Sequence, residues 1–321
     1  MRRCNRKRLG KRNKTIIRGY RVANTSGVWS DFWASNAGGS GDFGGCLPER
    51  WAAIEQAQSA AWREFIVDLP QGAKVLDLAT GDGRVLRWMQ AARSDLALTG
   101  IDLAPTLPPA PAGTETRGGV SMEALPFADA SFDSVVSQFG FEYGDSAKVA
   151  AEIARVLVPE GRVALMVHRG DGPILKHNKQ RRSELLWALR EKAVGRKVTT
   201  ALKQGTSGIA KGMRVAAKAA EQGATKFGQT SPAWEIPEAI RRSCLMGERA
   251  GVGSIIETIG VIEAKAKNEL GRIQSLTNAC GTADKREALH AHFAANGLAH
   301  KDTREICEPS GRALADFLTF G

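Results

Sequence analysis

Two carboxylates, each closing an apolar run, and a glycine-bearing turn between them carry the chemistry that this chain could do. The first run is Lys74-Val-Leu-Asp-Leu-Ala-Thr-Gly-Asp-Gly-Arg-Val85 and the second is Leu98-Thr-Gly-Ile-Asp102. An amphipathic stretch from Arg84 to Ala92 starts directly after the turn, so the order reads strand, loop, helix, strand. Such a unit places two recognition devices at the carboxyl edge of a parallel sheet. The helix N-terminus, with its free N–H groups, suits an anionic group. The acid that ends the second strand, Asp102, can accept hydrogen bonds from both hydroxyls of a ribose, and charge-assisted bonds of this kind are stronger than neutral ones. A nucleoside cofactor is the expected occupant.

The spacing within the turn narrows the choice. A dinucleotide fingerprint needs a third glycine so that helix and strand can pack closely. Here Gly81 and Gly83 are followed by Arg84, Val85 and then Leu86 at the third position. The pattern is acid-x-small-x-Gly-x-Gly, running from Asp77 through Ala79 and Gly81 to Gly83. With it the chain resembles the class I S-adenosylmethionine-dependent methyltransferases, above all the branch that contains the quinone-biosynthesis enzymes. Further stretches match that branch in order and spacing: Glu123-Ala-Leu-Pro-Phe127, Ser131 to Phe139, and Glu152 to His168 with its Pro159-Glu-Gly161 turn. Two departures stand out. Relatives commonly carry glycine where Ala79 stands and aspartate where Ser121 stands.

The resemblance implies a Rossmann-like seven-stranded α/β methyltransferase sheet and S-adenosyl-L-methionine as cofactor. By the same resemblance, Asp77 faces the methionine ammonium group, and the backbone of Ala79, Gly81 and Gly83 surrounds the methionine portion. Asp102 and Leu103 meet the ribose, Met122 and Glu123 lie beside the adenine, and Gln138 and Phe139 reach the edge where methionine and substrate meet. Methyl transfer asks mainly for alignment, because the cofactor carries the activated group. A base is needed only for a hydroxyl or carbon-acid acceptor, and His168, closing the fifth strand, is the candidate, with Glu142 and Tyr143 behind it.

Composition bounds the alternatives. A hydrophobic share of 43% and a charged share of 25% are those of an ordinary globular protein, and no apolar run reaches the eighteen or so residues of a membrane-spanning helix. Five cysteines, odd in number and without a C-x-x-C pair, argue against a disulfide framework or a zinc site and for a reducing cytoplasm. The net charge of +11 is unevenly placed: residues 1–21 hold ten Lys or Arg and no acid, and residues 169–290 hold twenty-two against twelve acids. The rest of the chain is therefore acidic.

Five segments follow. Residues 1–22 form a basic tail with no hydrophobic periodicity, expected to be disordered. It suits a nucleic-acid arm, a targeting peptide, an inert tail or a start placed too far upstream. Residues 23–70 contain a Trp/Phe cluster, a Gly/Ser-rich loop from Ala34 to Gly45 and a helix from Glu49 to Val67, in which Gln58 interrupts the apolar stripe. Residues 71–168 form the cofactor-binding core, with strands three to five expected at Thr116–Ser121, Ser134–Phe139 and Arg162–Val167. A helix is expected over Ser146–Leu157. Residues 169–296 form a large α-helical insertion between strands five and six, with helices expected at Ser183–Val194, Pro237–Gly247, Ser254–Leu276 and Lys285–Ala295. Residues 297–321 complete the sheet as a hairpin.

The insertion reads as a lid over a small-molecule methyl acceptor. Its positive charge and the basic tail would also suit nucleic acid or an anionic surface, as in an RNA or protein methyltransferase. A catalytically silent binding or assembly factor on the same fold is the third reading. Gly205–Gly212 lacks the G-K-[ST] of a P-loop, His290 and His292 point to different helix faces, and no metal is expected.

Overall fold

The computed structural model describes residues 25–36, 52–247 and 251–321. The basic tail, most of the Gly/Ser-rich stretch and Trp51 lie outside the described residues. The strands are β1 (Lys74–Leu78), β2 (Ala97–Ile101), β3 (Glu115–Arg117), β4 (Phe132–Gln138), β5 (Leu157–His168), β6 (His300–Cys307) and β7 (Ala313–Phe320). They form one sheet in the order β3-β2-β1-β4-β5-β7-β6. The first five run parallel, and β7 lies antiparallel between β5 and β6. From β1 the chain builds outward through β2 and β3, then returns to place β4 on the other side of β1. That reversal opens a crevice at the carboxyl ends of the strands, where ligands of open α/β sheets bind.

Both faces of the sheet are covered. Helices α2 (Ala52–Phe65) and α3 (Arg84–Ala92) bury Trp62, Phe65, Leu86 and Met89 against Val75, Val136, Met166 and Phe317. The other face holds Ile153, Val156 and Phe293 against Leu76, Val135, Leu165 and Phe320. Those come from α4 (Ser146–Val156) and α10 (Arg286–Ala294). Asp145 caps α4, its carboxylate accepting from the backbone N–H groups of Ala147 and Lys148, an arrangement worth about 1 kcal/mol. Arg155, at the far end of α4, donates to the Leu125 and Phe127 carbonyls and so fixes the loop that leads into β4.

Three strand limits differ from expectation. β3 stops at Arg117, because Gly118 lies against the Ala104 and Pro105 carbonyls where a paired, side-chain-bearing strand has no room. β4 begins at Phe132, two residues early. β5 begins at Leu157 and contains the Pro159–Gly161 turn as an irregularity, the register shifting between Phe132 and Ser134.

The insertion comprises α5 (Pro173–Leu186), a single π turn (Trp187–Glu191), α6 (Val194–Leu202), α7 (Ser207–Phe227), α8 (Pro232–Met246) and α9 (Val252–Ala283). It has its own core of Trp187, Val198, Ile209, Ile240, Cys244 and Ile259. Helix α7 was not foreseen. Beside Ile209, its buried stripe is Gly208, Gly212, Ala216, Ala219, Ala220 and Gly223, small residues at helical spacing. Gly223 sits so close to the Ala233 carbonyl that a Cβ there would overlap it, so the glycines of this stretch serve helix packing. α10, expected within the insertion, packs instead on α4 at the sheet. α9 joins the two bodies: Ile259 belongs to the insertion's core, whereas Leu276 and Cys280 belong to the sheet's. Against α9 lies α1 (Thr25–Asn36), held where Asn268 donates to the Val28 carbonyl and to Asp31.

Candidate active site

The turn after β1 is built from left-handed residues. Ala79, Gly81 and Gly83 have φ of 56°, 56° and 69°. Such values cost an L-residue with a side chain about 1 kcal/mol or more, so Ala79 carries a strain that glycine would not. The turn is closed by Thr80 N–H donating to the Ile101 carbonyl (2.9 Å) and Gly83 N–H donating to the Thr80 carbonyl (2.9 Å). Gly81 is hemmed in from outside as well, since a Cβ built on it would run into the ring of Trp33 on α1. Gly81→Ala is therefore expected to displace Trp33 and to weaken nucleoside binding roughly tenfold, about 1.4 kcal/mol. Calorimetric titration measures this, and unchanged affinity would show that the turn and Trp33 do not border the ligand.

Asp102 closes β2 and is 8% exposed. One carboxylate oxygen accepts from Gly81 N–H (3.0 Å) and the other from Ala104 N–H (2.9 Å). Burial pushes its pKa up, and these backbone donors oppose the shift. Each oxygen retains a lone pair for a further donor. Beside it Leu103 is a large apolar side chain left half exposed (52%) at the cavity rim.

Asp77 is the most unusual group in the molecule. It is 1% exposed, and neither carboxylate oxygen has a hydrogen-bond partner among the described residues. Burial pushes its pKa up to about 7; Asp102 and Asp82 add repulsion, while the neighbouring Thr80 hydroxyl works the other way. That hydroxyl lies close, yet it is itself without a well-formed bond. A buried carboxylate held in this way lacks a cation or donor.

Three other expected contacts are differently committed. Glu123 turns its carboxylate to the Asp145 N–H (3.0 Å) and towards Lys148, leaving Met122 as the apolar side chain on that wall. Ser121 accepts from the Glu123 N–H (3.2 Å). The Gln138 amide is taken up on the α2 side: Trp62 Nε1 donates to its oxygen (2.6 Å), and its nitrogen donates to Gln58 (3.3 Å). Gln58, which interrupts the apolar stripe of α2, is thus the internal partner of Gln138. Gln138 borders the cavity with its amide anchored in this way at the end of β4.

At the end of β5, His168 is paired with Glu142. Nδ1 lies 2.7 Å from Glu142 Oε1, and the His168 backbone N–H donates to the same oxygen (2.9 Å). Both residues are buried, and Phe139 stacks on the imidazole at 4.2 Å. In the tautomer that donates from Nδ1 to Glu142, Nε2 is the ring nitrogen left with a lone pair.

Of the expected site residues, all except Glu142 and Gly83 border one cavity of about 500 Å³. Trp29, Phe32 and Trp33 of α1 and Tyr143 form an aromatic wall. Ile174, His177, Asn178 and Arg181 of α5, with Glu269, Arg272, Ile273 and Leu276 of α9, close the far side. The insertion residues escaped the sequence reading because each set follows i, i+3, i+4, i+7 with mixed polar and apolar types, which leaves no apolar stripe to detect. The exposed bases of α6 and α7, among them Arg196, Lys211, Arg214 and Lys218, do not border the cavity. Among the described residues no helix is long and apolar enough to cross a membrane.

Comparison with known proteins agrees with this geometry. Residues 76–165 match a family model described as a methyltransferase domain. The demethylmenaquinone methyltransferase of Thermus thermophilus is 35% identical over 116 residues, covering 33% of this chain and 53% of that protein. The ubiquinone/menaquinone biosynthesis C-methyltransferase of Geotalea daltonii is 35% identical over 121 residues, covering 33% of this chain and 51% of that protein. The chain thus spans about half the length of the curated relatives it matches. Among solved structures, 1,6-didemethyltoxoflavin-N1-methyltransferase of Burkholderia thailandensis overlaps 94% of this chain and 92% of that one, at 13% identity and a TM-score of 0.45. On its sheet order, its turn and the matched segment, the chain carries a class I S-adenosylmethionine-dependent methyltransferase domain resembling the quinone-biosynthesis branch of that family.

Proposed function

We propose that the protein transfers a methyl group from S-adenosylmethionine to a hydroxyl or carbon acid of a small organic acceptor held beneath the helical insertion, which acts as a lid. The observation that carries this reading is that one cavity is bordered both by the Asp77 carboxylate, without a partner among the described residues, and by His168, which the buried Glu142 backs. The residues fit the cofactor. Asp77 offers an uncompensated negative charge to an ammonium group, Asp102 offers lone pairs to a diol, and the turn at Ala79 and Gly81 borders the same cavity. Leu103 and Met122 supply an apolar bed for adenine, with Glu123 contributing through its backbone.

A bound S-adenosylmethionine, held by Asp77 and Asp102, would supply an electrophilic methyl group on a sulfonium, with a neutral thioether as the leaving group. What remains is the work of this chain. His168 Nε2 takes the acceptor's proton, Glu142 holds the ring in the required tautomer, and Phe139 fixes its plane. A thiol or an unprotonated amine would need no such base, so the buried pair favours an oxygen or carbon acceptor. The lid wall keeps water from competing for the methyl group.

The direct test is calorimetric titration with S-adenosylmethionine and S-adenosylhomocysteine beside Asp102→Ala. Charge-assisted bonds contribute about 1.5–3 kcal/mol, so the substitution is expected to weaken both ligands at least tenfold. Absence of binding by well-folded wild-type protein would sink the reading.

A further inference from the structure

We infer that the methyl acceptor carries an oxyanion, a carboxylate or an equivalent acidic group on a flat ring, and that Arg272 holds it against the aromatic wall of the cavity. The inference rests on the methyltransferase reading and names the substrate class of that site. Two arginines reach the cavity from the insertion. Arg181 is neutralised by Glu269 at 2.7 Å. Arg272, on the same wall, makes no hydrogen bond or ion pair with any described residue, and its Nε is buried without an acceptor. Its guanidinium lies instead over Phe32 (4.4 Å) and Trp29 (5.8 Å).

Stacking of this kind fixes the guanidinium plane but uses its face, leaving the edge N–H donors unsatisfied. An arginine partly withdrawn from water with neither counter-ion nor acceptor is unfavourable. Its planar fork matches an oxyanion better than any other ligand class. Such an arginine is a binding group awaiting its anion.

The contacts around it say which end of the cavity that anion occupies. Trp29 stacks edge-on against Tyr143 (5.6 Å), and Tyr143 against His168 (6.0 Å), so one chain of rings links Arg272 to the proposed base. Towards the cofactor turn, Phe32 and Trp33 (5.0 Å apart) stand between the guanidinium and Gly81. The arginine therefore belongs to the wall around the acceptor. An acceptor that presents a hydroxyl to His168 and an anion to Arg272, between aromatic rings, is a planar acidic molecule such as a hydroxylated aromatic acid.

The test uses the full chain saturated with S-adenosylhomocysteine. Meta- and para-hydroxybenzoate are titrated against the isosteric, uncharged hydroxybenzamides, with ligand-observed NMR as the readout. The wild type is expected to bind at least one acid at least tenfold more tightly than its amide. Arg272→Met should remove that preference, Arg272→Lys should keep part of it, and neither should change S-adenosylhomocysteine affinity more than twofold. Equal binding of acids and amides by the wild type overturns the inference. So does a tenfold loss of S-adenosylhomocysteine binding in Arg272→Met, which would assign the arginine to the methionine carboxylate. Failure of the wild type to bind S-adenosylhomocysteine defeats the methyltransferase reading instead, and the same fragment pairs titrated without it still decide the role of Arg272.

Discussion

Asp77→Asn is expected to stabilise the unliganded protein above pH 7 and, in the same molecule, to weaken S-adenosylhomocysteine binding at least tenfold. Burial raises the Asp77 pKa from 3.8 to about 7. The folded state therefore holds a proton that the unfolded chain has released. Stability contributed by this group is fully present below pH 4 and is lost as pH rises through about 7. Roughly three pKa units at about 1.4 kcal/mol each put the cost above that point at a few kcal/mol. A neutral amide of the same shape removes most of it, so the variant should melt several degrees higher at pH 8, with the difference vanishing at pH 4.

An ammonium group placed beside Asp77 reverses the preference and holds the carboxylate ionised. Binding below pH 7 should thus release a proton, and affinity should rise about fivefold between pH 6 and pH 7. Calorimetry in two buffers of different ionisation enthalpy reads the proton directly. Equal heats in both buffers at pH 6, together with unimpaired binding by the Asn variant, would show that no ammonium sits there.

The sequence made Asp77, Gly81, Gly83 and Asp102 legible because their relation is local: one turn, one helix start and two strand ends set the geometry, and the spacing encodes all of it. The left-handed φ of Ala79 was hidden because alanine does not announce such a conformation. The partners of the Gln138 amide were not readable, because Gln58 and Trp62 lie eighty and seventy-six residues away in the chain. The link between Glu142 and His168 was likewise not readable, because it crosses from the segment after β4 to the end of β5. In the insertion, helices with ordinary apolar stripes could be found. α7 could not, since apart from Ile209 its buried side is made of glycine and alanine, residues that in sequence read as loop or as neutral filler. α10 was found as a helix but placed in the wrong body, because periodicity reports a buried face and not what buries it.

His168→Gln is expected to lower methyl transfer to the true acceptor by about 10²- to 10⁴-fold, the usual range for a lost general base, while leaving S-adenosylhomocysteine affinity unchanged. Glu142→Gln separates the base from its support. The amide oxygen can still accept from the His168 backbone N–H and from Nδ1–H, so the ring keeps its orientation and tautomer. What it loses is the negative charge that stabilises the imidazolium formed when the acceptor's proton arrives. A smaller loss is expected, about ten- to a hundredfold, with S-adenosylhomocysteine affinity unchanged. A purely structural pair would give a different pattern: both variants would lose cofactor affinity or melting temperature together. Should both variants turn over at the wild-type rate, the acceptor needs no base, and a thiol or amine nucleophile would replace the oxygen or carbon acid. The Glu142 variant is the sharper of the two, since it alters only the charge behind the ring and leaves every group that touches the acceptor in position.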